Sequence, residues 1–408
     1  MRMRNAVVTA AGAAVVVLVV AVGVAGSHSA RPEGSPAAGV AGSPAAGVAG
    51  GNFPQYTLTG VSCLSTTACT AVGGTYYAHE VAPAVLRWNG KTWSVQHAPN
   101  PPEHGGSMLT AVSCSRPDDC IAVGKRGGYQ MGTLAEHWNG KTWSVQPTPM
   151  SRAESSELNG VSCSSPTACT AVGDRLVTKP AVKQVTVAMR WNGKAWAVQS
   201  TPNSPTAESL LFSVSCPAAT ACTAIGSQMS SPGSGPSMIL AAHWNGRTWR
   251  LQPVPAPAGG PGRMHSIACA SARYCVAAGV NYLQQGAGLQ QPASVVWNGS
   301  TWKLEPVPYP RGAQYEAYLS GMDCSAATAC TAVGSYTPGT EGGPTMAERW
   351  NGASWTRQDS ATPSGDTAQL NSVSCPASRV CIAVGDSGTH SLLAERWDGS
   401  AWALTPTP

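Results

Sequence analysis

The residues with the most chemical potential in this 408-residue sequence are its 14 cysteines. They form seven pairs, and six positions separate the two members of each pair. The pairs are Cys63 and Cys69, Cys114 and Cys120, Cys163 and Cys169, Cys216 and Cys222, Cys269 and Cys275, Cys324 and Cys330, and Cys375 and Cys381. Structural zinc sites usually place cysteines about two to four positions apart, with a second pair nearby. The spacing therefore favours disulfides within each pair over a metal site.

Charged residues that could bind a ligand follow the second cysteine of several pairs. The candidates are His79, Glu80, Lys125, Arg126, Asp174, Arg175 and Asp386. A few polar groups that converge from different parts of a fold can bind a ligand. The alternative is that each is a solvated loop charge.

The cysteine pairs recur with a period of roughly 50 residues, which indicates internal repeats. Successive first cysteines lie 51, 49, 53, 53, 55 and 51 positions apart, and all 14 tryptophans fall in seven W-[ND]-G-x-x-W boxes with the same rhythm. The repeats cover approximately 55–104, 105–154, 155–206, 207–260, 261–314, 315–366 and 367–408.

Each repeat contains four short stretches that predict β-strands. In the first copy these are 58–63 (strand a), 69–73 (strand b), 84–88 (strand c) and 93–96 (strand d). A disulfide within the first pair of cysteines makes strands a and b a hairpin, with Val61 opposite Ala71.

The box between strands c and d predicts a second hairpin. Asn89-Gly90 is typical of a two-residue turn with positive φ at both positions. In that register Trp93 lies opposite Leu86, two positions from Trp88, so both indoles lie on one face of the sheet.

A single four-stranded sheet cannot bury such a face, but a neighbouring sheet can cover it. Four strands repeated seven times predict an all-β, seven-bladed β-propeller of antiparallel blades, with one intra-blade disulfide in each a–b hairpin. The rival interpretation is that the tryptophans form carbohydrate platforms. The presence of both tryptophans in all seven boxes favours packing between blades.

The order of these features resembles kelch repeats and propellers of the galactose-oxidase type. The resemblance covers 55–408 and is one of pattern. Kelch units usually carry a Gly-Gly doublet, which only Gly73-Gly74 matches. The paired cysteines and the W-N-G-x-x-W box also resemble repeats of secreted actinobacterial proteins of unassigned role. A copper-radical oxidase would need a cysteine free to cross-link a tyrosine, yet every cysteine here has a partner within its repeat.

The N-terminal residues predict export. Arg2 and Arg4 precede an uncharged run at 6–26 and then small residues, so 1–30 is either a cleaved signal peptide or a retained membrane anchor. Residues 31–51 repeat GSPAAGVA twice and predict a flexible linker, and the propeller is expected at 52–408. We therefore expect a secreted protein or one tethered to the outer face of the cytoplasmic membrane.

The composition of the chain limits the classes of partner that we expect. Only 11% of residues are charged and the net charge is +5, which argues against nucleic-acid binding. No cofactor is predicted, membrane contact is expected only through an N-terminal anchor, and the propeller is expected to be a monomer. The Gly-x-Ser-x-Gly, HExxH and D-x-D-x-D-G motifs are missing, so no catalytic residue is assigned.

Variation in loop length points to one face of the ring. The stretch between the strand-b glycine and the first box tryptophan is 14, 13, 17, 17, 17, 15 and 11 residues long, whereas the a–b and c–d turns have constant lengths. Loops on a rigid scaffold usually carry recognition. We expect the face with the b–c and d–a loops to bind a protein or glycan ligand. A glycan-active hydrolase or lyase using carboxylates from different blades, and a purely structural role in the cell envelope, remain alternatives.

The residue before the first box tryptophan recurs as Arg or His in six copies, which favours a structural role. The six are Arg87, His137, Arg190, His243, Arg349 and Arg396.

Overall fold

The computed structural model describes residues 55–408. Its internal gaps are 78–79, 102–105, 128–130, 151–154, 180, 230–236, 258–259, 284–288, 315, 340–342, 364–366 and 389–390. The predicted signal or anchor, the predicted linker and His79 therefore lie outside the described residues. None of the residues described forms an apolar helix of membrane-spanning length.

The described residues form 28 strands that pair in sequence order into seven antiparallel sheets of four. Strands a are β1 Gln55–Ser65, β5 Ser107–Arg116, β9 Ser156–Ser165, β13 Glu208–Ala218, β17 Gly262–Ser271, β21 Ala317–Ala326 and β25 Ala368–Ala377. Strands b are β2 Ala68–Tyr77, β6 Asp119–Arg126, β10 Ala168–Val177, β14 Ala221–Met229, β18 Tyr274–Tyr282, β22 Ala329–Tyr336 and β26 Val380–Ser387. Strands c are β3 Glu80–Trp88, β7 Gly132–Trp138, β11 Lys183–Trp191, β15 Ser237–Trp244, β19 Gln290–Trp297, β23 Thr345–Trp350 and β27 Ser391–Trp397. Strands d are β4 Trp93–Gln96, β8 Trp143–Val145, β12 Trp196–Gln199, β16 Trp249–Gln252, β20 Trp302–Glu305, β24 Trp355–Gln358 and β28 Trp402–Leu404.

The seven sheets are the blades of a β-propeller, which confirms the predicted fold class. Neighbouring a strands pack against one another around a central channel, and the d strands lie outermost. Each described sheet consists of four strands that are consecutive in the sequence, and side-chain hydrogen bonds join blade 7 to blade 1. Trp93 Nε1 donates to Thr405 Oγ1 at 3.2 Å, and Asn371 Nδ2 donates to the Leu58 carbonyl at 2.9 Å.

All seven disulfides form within the a–b hairpins, as predicted. In blade 1 the cysteines face each other across β1 and β2, and Val61 lies opposite Ala71, which confirms the predicted register. Disulfides of this density are typical of proteins from an oxidising compartment.

The predicted c–d turn is wrong in length. Trp88 pairs directly with Trp93 across β3 and β4, so the loop has four residues and Trp93 does not lie opposite Leu86. The reason is an Asx turn. Asn89 Oδ1 accepts from the backbone N–H groups of Lys91 and Thr92, each at 2.9 Å, and these bonds stabilise the longer loop. The positive φ falls on Gly90. Both indoles still share one face, with ring centroids 5.5 Å apart.

The second tryptophan of each box packs between blades. All seven are 4–6% exposed: Trp93, Trp143, Trp196, Trp249, Trp302, Trp355 and Trp402. In four blades the indole N–H donates to a Gln at the end of the preceding d strand; for example, Trp143 bonds Gln96 at 3.1 Å. Their burial and these bonds to the preceding blade confirm that the tryptophans pack between blades. Covering large aromatic side chains contributes much of the stability of such packing.

A glycine in every b strand lies against a β-bulge in strand a. In each blade the pairing of strands a and b shifts register at the fourth residue before the first cysteine. The bulge brings a backbone oxygen so close that a Cβ on the facing glycine would lie 1.9–2.1 Å from it. The seven glycines are Gly73, Gly124, Gly173, Gly226, Gly279, Gly334 and Gly385. One glycine per blade is thus a steric requirement.

The recurring Arg or His before the first box tryptophan makes structural contacts. Arg349 Nη1 donates to Thr331 Oγ1, its cross-strand neighbour, at 3.0 Å. The Arg87 guanidinium lies over the ring of Trp138 in the next blade, 5.3 Å from its centroid. These side chains therefore tie strands and blades together.

Candidate functional site

The face with the a–b and c–d turns is built from one repeated contact. In each c–d turn a side-chain oxygen accepts from the backbone N–H groups two and three residues later, at 2.8–3.0 Å. The acceptors are Asn89, Asn139, Asn192, Asn245, Asn298, Asn351 and Asp398. A contact repeated seven times is typical of a structural element.

The central channel has a volume of about 360 Å³ and is lined by the middle residues of all seven a strands. The residues that directly precede the first cysteine, one in each blade, form what we call the serine layer. In five blades the serine Oγ accepts, at 3.0 Å, from the backbone N–H of the first cysteine in the next blade. These residues are Ser62, Ser113, Ser162, Ser215 and Ser374. The serine layer therefore joins neighbouring blades at the channel wall.

Two blades depart from the serine layer. Blade 5 has Ala268, and blade 6 has Asp323, whose Oδ2 accepts from the Cys375 N–H at 2.7 Å and whose Oδ1 accepts from the Cys324 N–H at 2.8 Å. Burial raises the pKa of Asp323, and these hydrogen bonds, together with one from Ser374, act to lower it. Among the described residues that line the channel, Asp323 is the one acidic side chain.

The bulged residues form a second layer, nearer the face with the b–c and d–a loops. We call it the bulge layer. Its members are Thr59, Thr110, Asn159, Phe212, His265, Ser320 and Asn371. In five blades the bulged side chain bonds a backbone carbonyl of the next blade at 2.6–3.1 Å. Unlike the serine layer, the bulge layer differs from blade to blade.

Asp174, a predicted ligand-binding residue, lies in a polar cluster at the bulge layer of blade 3. It is 3% exposed, and its two oxygens accept from Asn159 Nδ2 and Gln184 Nε2, each at 3.2 Å. Burial, and next the charge of Glu157 opposite it, raise the pKa of Asp174 to about 7, although the Asn159 bond and Lys125 lower it. Lys125 from blade 2 pairs with Glu157 at 3.0 Å. The structure thus brings two predicted residues, Lys125 and Asp174, into one cluster.

Asp386 occupies the equivalent place in blade 7, apart from the blade 3 cluster. Its oxygens accept from Asn371 Nδ2 at 3.0 Å and Gln369 Nε2 at 3.2 Å, and Tyr318 donates to Gln369 at 3.2 Å. Asp386, Gln369 and Tyr318 line a cleft of about 240 Å³ between blades 6 and 7, together with Glu316. The cleft opens among the ends of the b–c and d–a loops.

The other predicted residues lie at the rim of the same face or outside the described chain. Arg126 ends β6 and Glu80 begins β3, where its side chain is exposed. Arg175 lines a separate groove of about 390 Å³ between blades 2 and 3. His79 is not among the described residues. The six predicted residues that the structure describes therefore lie at separate places on this face, and their role in binding stays a prediction.

The residues that the prediction missed lie on strand a. They include Glu157, Asn159, Phe212, Gln369 and Asn371. A signal was present: the fourth position before each first cysteine varies in chemical type, while the position just before the cysteine is Ser in five copies. A position that varies in residue type within a regular repeat is a candidate for recognition, even though five of these side chains also bond the next blade.

Three solved structures share the architecture at low identity. "YCF48 bound to D1 peptide" is 13% identical, covers 84% of this chain and 93% of its own, and has a TM-score of 0.51. The GH74 xyloglucanase from Xanthomonas campestris is 12% identical with a TM-score of 0.55; the match covers 86% of this chain but only 55% of the xyloglucanase. The β-propeller domain of the Trilobed protease from Pyrococcus furiosus is 6% identical over 86% of this chain and 97% of its own, with a TM-score of 0.50. No protein-family model and no curated protein matches the sequence.

Proposed function

We propose that this protein is a secreted or surface-tethered binding scaffold whose ligand contacts the face with the b–c and d–a loops. One observation carries the proposal: the serine layer and the c–d turns repeat one residue type around most of the ring, whereas the bulge layer and its polar clusters differ in residue type between blades, even where the bulged side chain bonds the next blade. A repeated contact holds the ring together, and a position that varies is available for recognition. The seven disulfides fit a protein that works outside the cytoplasm.

The ligand we propose is a protein or a glycan. The cleft between blades 6 and 7 combines carboxylates, an amide and a phenol, the groups that bond hydroxyl and peptide groups. Two propellers of similar fold bind such ligands according to their descriptions, one a peptide and one a xyloglucan substrate. The kelch-like relationship of the repeats and a monomeric state remain part of this proposal.

The test is a pair of lysine variants on opposite faces of blade 2. The purified full-length chain is screened on a glycan array and by pull-down, and the ligand found is titrated against each variant. Lys125→Ala removes a half-exposed lysine of the proposed face, and Lys141→Ala removes an exposed lysine from the c–d turn. We expect the first to weaken binding and the second to leave it unchanged. Equal effects of both variants would refute the placement of the site.

A glycan-active enzyme is the second candidate, and one observation favours it. Glu316 and Asp386 line the same cleft, and a pair of carboxylates is what glycoside hydrolysis needs. If the protein is such an enzyme, it releases reducing ends from a polysaccharide, and Glu316→Gln abolishes the release without loss of binding. Binding of a polysaccharide with no turnover would rule the enzyme out and leave the scaffold.

A further inference from the structure

The bulge layer changes character between blades 4 and 5. In blade 4 the bulged residue is Phe212, which has no donor for the Met264 carbonyl that the pattern of the other blades would place opposite it. Phe212 is half-buried and lines the channel, whose walls are otherwise rich in Ser, Thr and Asn. An aromatic ring in place of an inter-blade hydrogen bond gives up a structural contact and provides an apolar surface inside a polar channel.

A positive charge lies on this ring. The Arg263 guanidinium is 5.3 Å from the Phe212 centroid, a cation–π contact. Among the described residues no carboxylate lies within ion-pair distance of Arg263, and its Nε is buried without a hydrogen-bond partner. The Arg263 side chain as a whole is half-buried, and its charge has no counter-ion among the described residues, so an anionic ligand beside the guanidinium would supply one.

His265 completes the group. Its ring lies edge-on to Phe212, with centroids 6.3 Å apart, and its Nδ1 lies 2.9 Å from the Leu319 carbonyl. Because a carbonyl only accepts, Nδ1 carries the proton and donates. Burial lowers the pKa of His265, and the charge of Arg263 lowers it further, although the bond to Leu319 raises it. The ring is therefore neutral near pH 7, and Nε2 keeps a lone pair that can accept from a hydroxyl group.

We propose that Phe212, Arg263 and His265 form a subsite for an acidic sugar, a hexuronate residue of a glycan. Arg263 pairs with the carboxylate, Phe212 packs against the C–H face of the pyranose ring, and His265 Nε2 accepts from a sugar hydroxyl. This proposal rests on the proposed function. It adds one contact point for the ligand that binds the proposed face, and it states that the ligand is negatively charged at that point.

The inner backbone edge favours a sugar over a peptide at this subsite. A peptide in a propeller channel would bind best by adding a strand to a free edge. Beside the subsite the backbone N–H groups of Ile267 and Cys269 already donate to Ser213 and Ser215 of the preceding blade, although the Met264 carbonyl has no side-chain donor from Phe212. Little of the a-strand edge is therefore left for an added strand. A uronate needs only the three side chains.

The experiment titrates the full-length, oxidised chain with trigalacturonate and with its neutral counterpart galactotriose, by calorimetry. We expect trigalacturonate to bind, and Arg263→Gln to weaken it about tenfold, because charge-assisted hydrogen bonds are among the stronger polar contacts. Phe212→Thr introduces the residue that blades 1 and 2 carry at this place, so it is compatible with the fold. We expect it to weaken trigalacturonate binding about fivefold through lost ring contact. Arg250→Gln removes an exposed charge from the outermost strand of blade 4 and is the matched control.

Three results would overturn the subsite: equal affinity for galactotriose, unchanged trigalacturonate affinity in both Arg263→Gln and Phe212→Thr, or an Arg263-dependent preference for a peptide with a free C-terminal carboxylate. The proposed function would survive any of these if Lys125→Ala still weakened binding of the ligand found by screening. If neither set of variants changed binding of any ligand, both proposals would fail.

Discussion

Glu136→Met is expected to stabilise the propeller, and by more as the pH rises. Glu136 on β7 is fully buried, and neither carboxyl oxygen has a hydrogen-bond partner. Blade 3 has Met189 and blade 1 has Leu86 at the same position, both fully buried in the packing between sheets. A methionine therefore suits the site and leaves no polar atom unpaired.

The size of the expected stabilisation follows from the protonation of the Glu136 carboxyl group in the folded protein. Burial raises the pKa of Glu136 from its ordinary value of 4.5 to about 8. Between these pH values the folded protein keeps the proton and the unfolded chain releases it, so the free energy of unfolding falls by about 1.4 kcal/mol per pH unit. The contribution is fully present below pH 4.5 and is lost as the pH rises through about 8. From pH 4.5 to pH 7 the variant should therefore gain about 3 kcal/mol on the natural chain.

Urea unfolding followed by tryptophan fluorescence, at about pH 5, 6 and 7 with disulfides intact, measures this gain. Glu395→Met is the matched control, because Glu395 has the same place in blade 7 but accepts from Thr345 Oγ1 and the Ala361 N–H, each at 3.0 Å. Its loss leaves the Ala361 N–H without an acceptor, whereas the Thr345 hydroxyl keeps Ser360 and Thr362 as partners, and should destabilise the fold by about 1–3 kcal/mol. The reasoning is refuted if both variants shift stability in one direction, or if the advantage of Glu136→Met is the same at every pH.

Three further predictions concern the framework. Replacing Cys63 and Cys69 together by Ser should lower the free energy of unfolding by about 2 kcal/mol, the loop-closure value for so short a loop, and a loss close to zero in urea would contradict it. Ser62→Ala should cost about 1 kcal/mol, because the next blade loses a hydrogen-bond acceptor at the channel wall. Gly173→Ala should cost about 3 kcal/mol in the same assay, since its Cβ would meet the Glu157 carbonyl oxygen at 2.0 Å; a neutral result would show that the bulge is soft.

The fold was predictable because its two strongest constraints are short-range and repeat. A cysteine pair six positions apart fixes the a–b hairpin, and two tryptophans in each box demand a neighbour to cover them. What failed was the turn between Trp88 and Trp93. Asn-Gly predicts a two-residue loop on its local chemistry, but the side chain of Asn89 caps a four-residue loop instead. The two-residue loop and the four-residue loop share the Asn-Gly signal. They differ in which residues of strands c and d pair beside the loop.

The candidate site was less predictable, for a reason that lies in strand a. A regular strand alternates its side chains, and that alternation is what sequence patterns report. At the bulge the alternation breaks, and a side chain such as Asn159 turns toward the channel and the next blade. The predicted Asp174 was found beside it, because the residue after the strand-b glycine lies across from the start of strand a. In the sequence the bulge is marked only by the glycine that faces it and by the varied residue four positions before each first cysteine.

The departures from the repeat are not spread evenly around the channel. Phe212 replaces a hydrogen-bonding residue in blade 4, Arg263 and Ala268 lie in blade 5, and Asp323 replaces a serine in blade 6. Blades 1, 2, 3 and 7 keep both the serine layer and the bulge-layer hydrogen bond. Blade 4 lacks the bulge-layer hydrogen bond and blade 5 lacks the serine, whereas Asp323 of blade 6 still accepts from the Cys375 N–H of the next blade. These departures lie side by side around the channel, and they include the three side chains that we propose as a subsite, so a ligand bound there would lie off the axis of the ring.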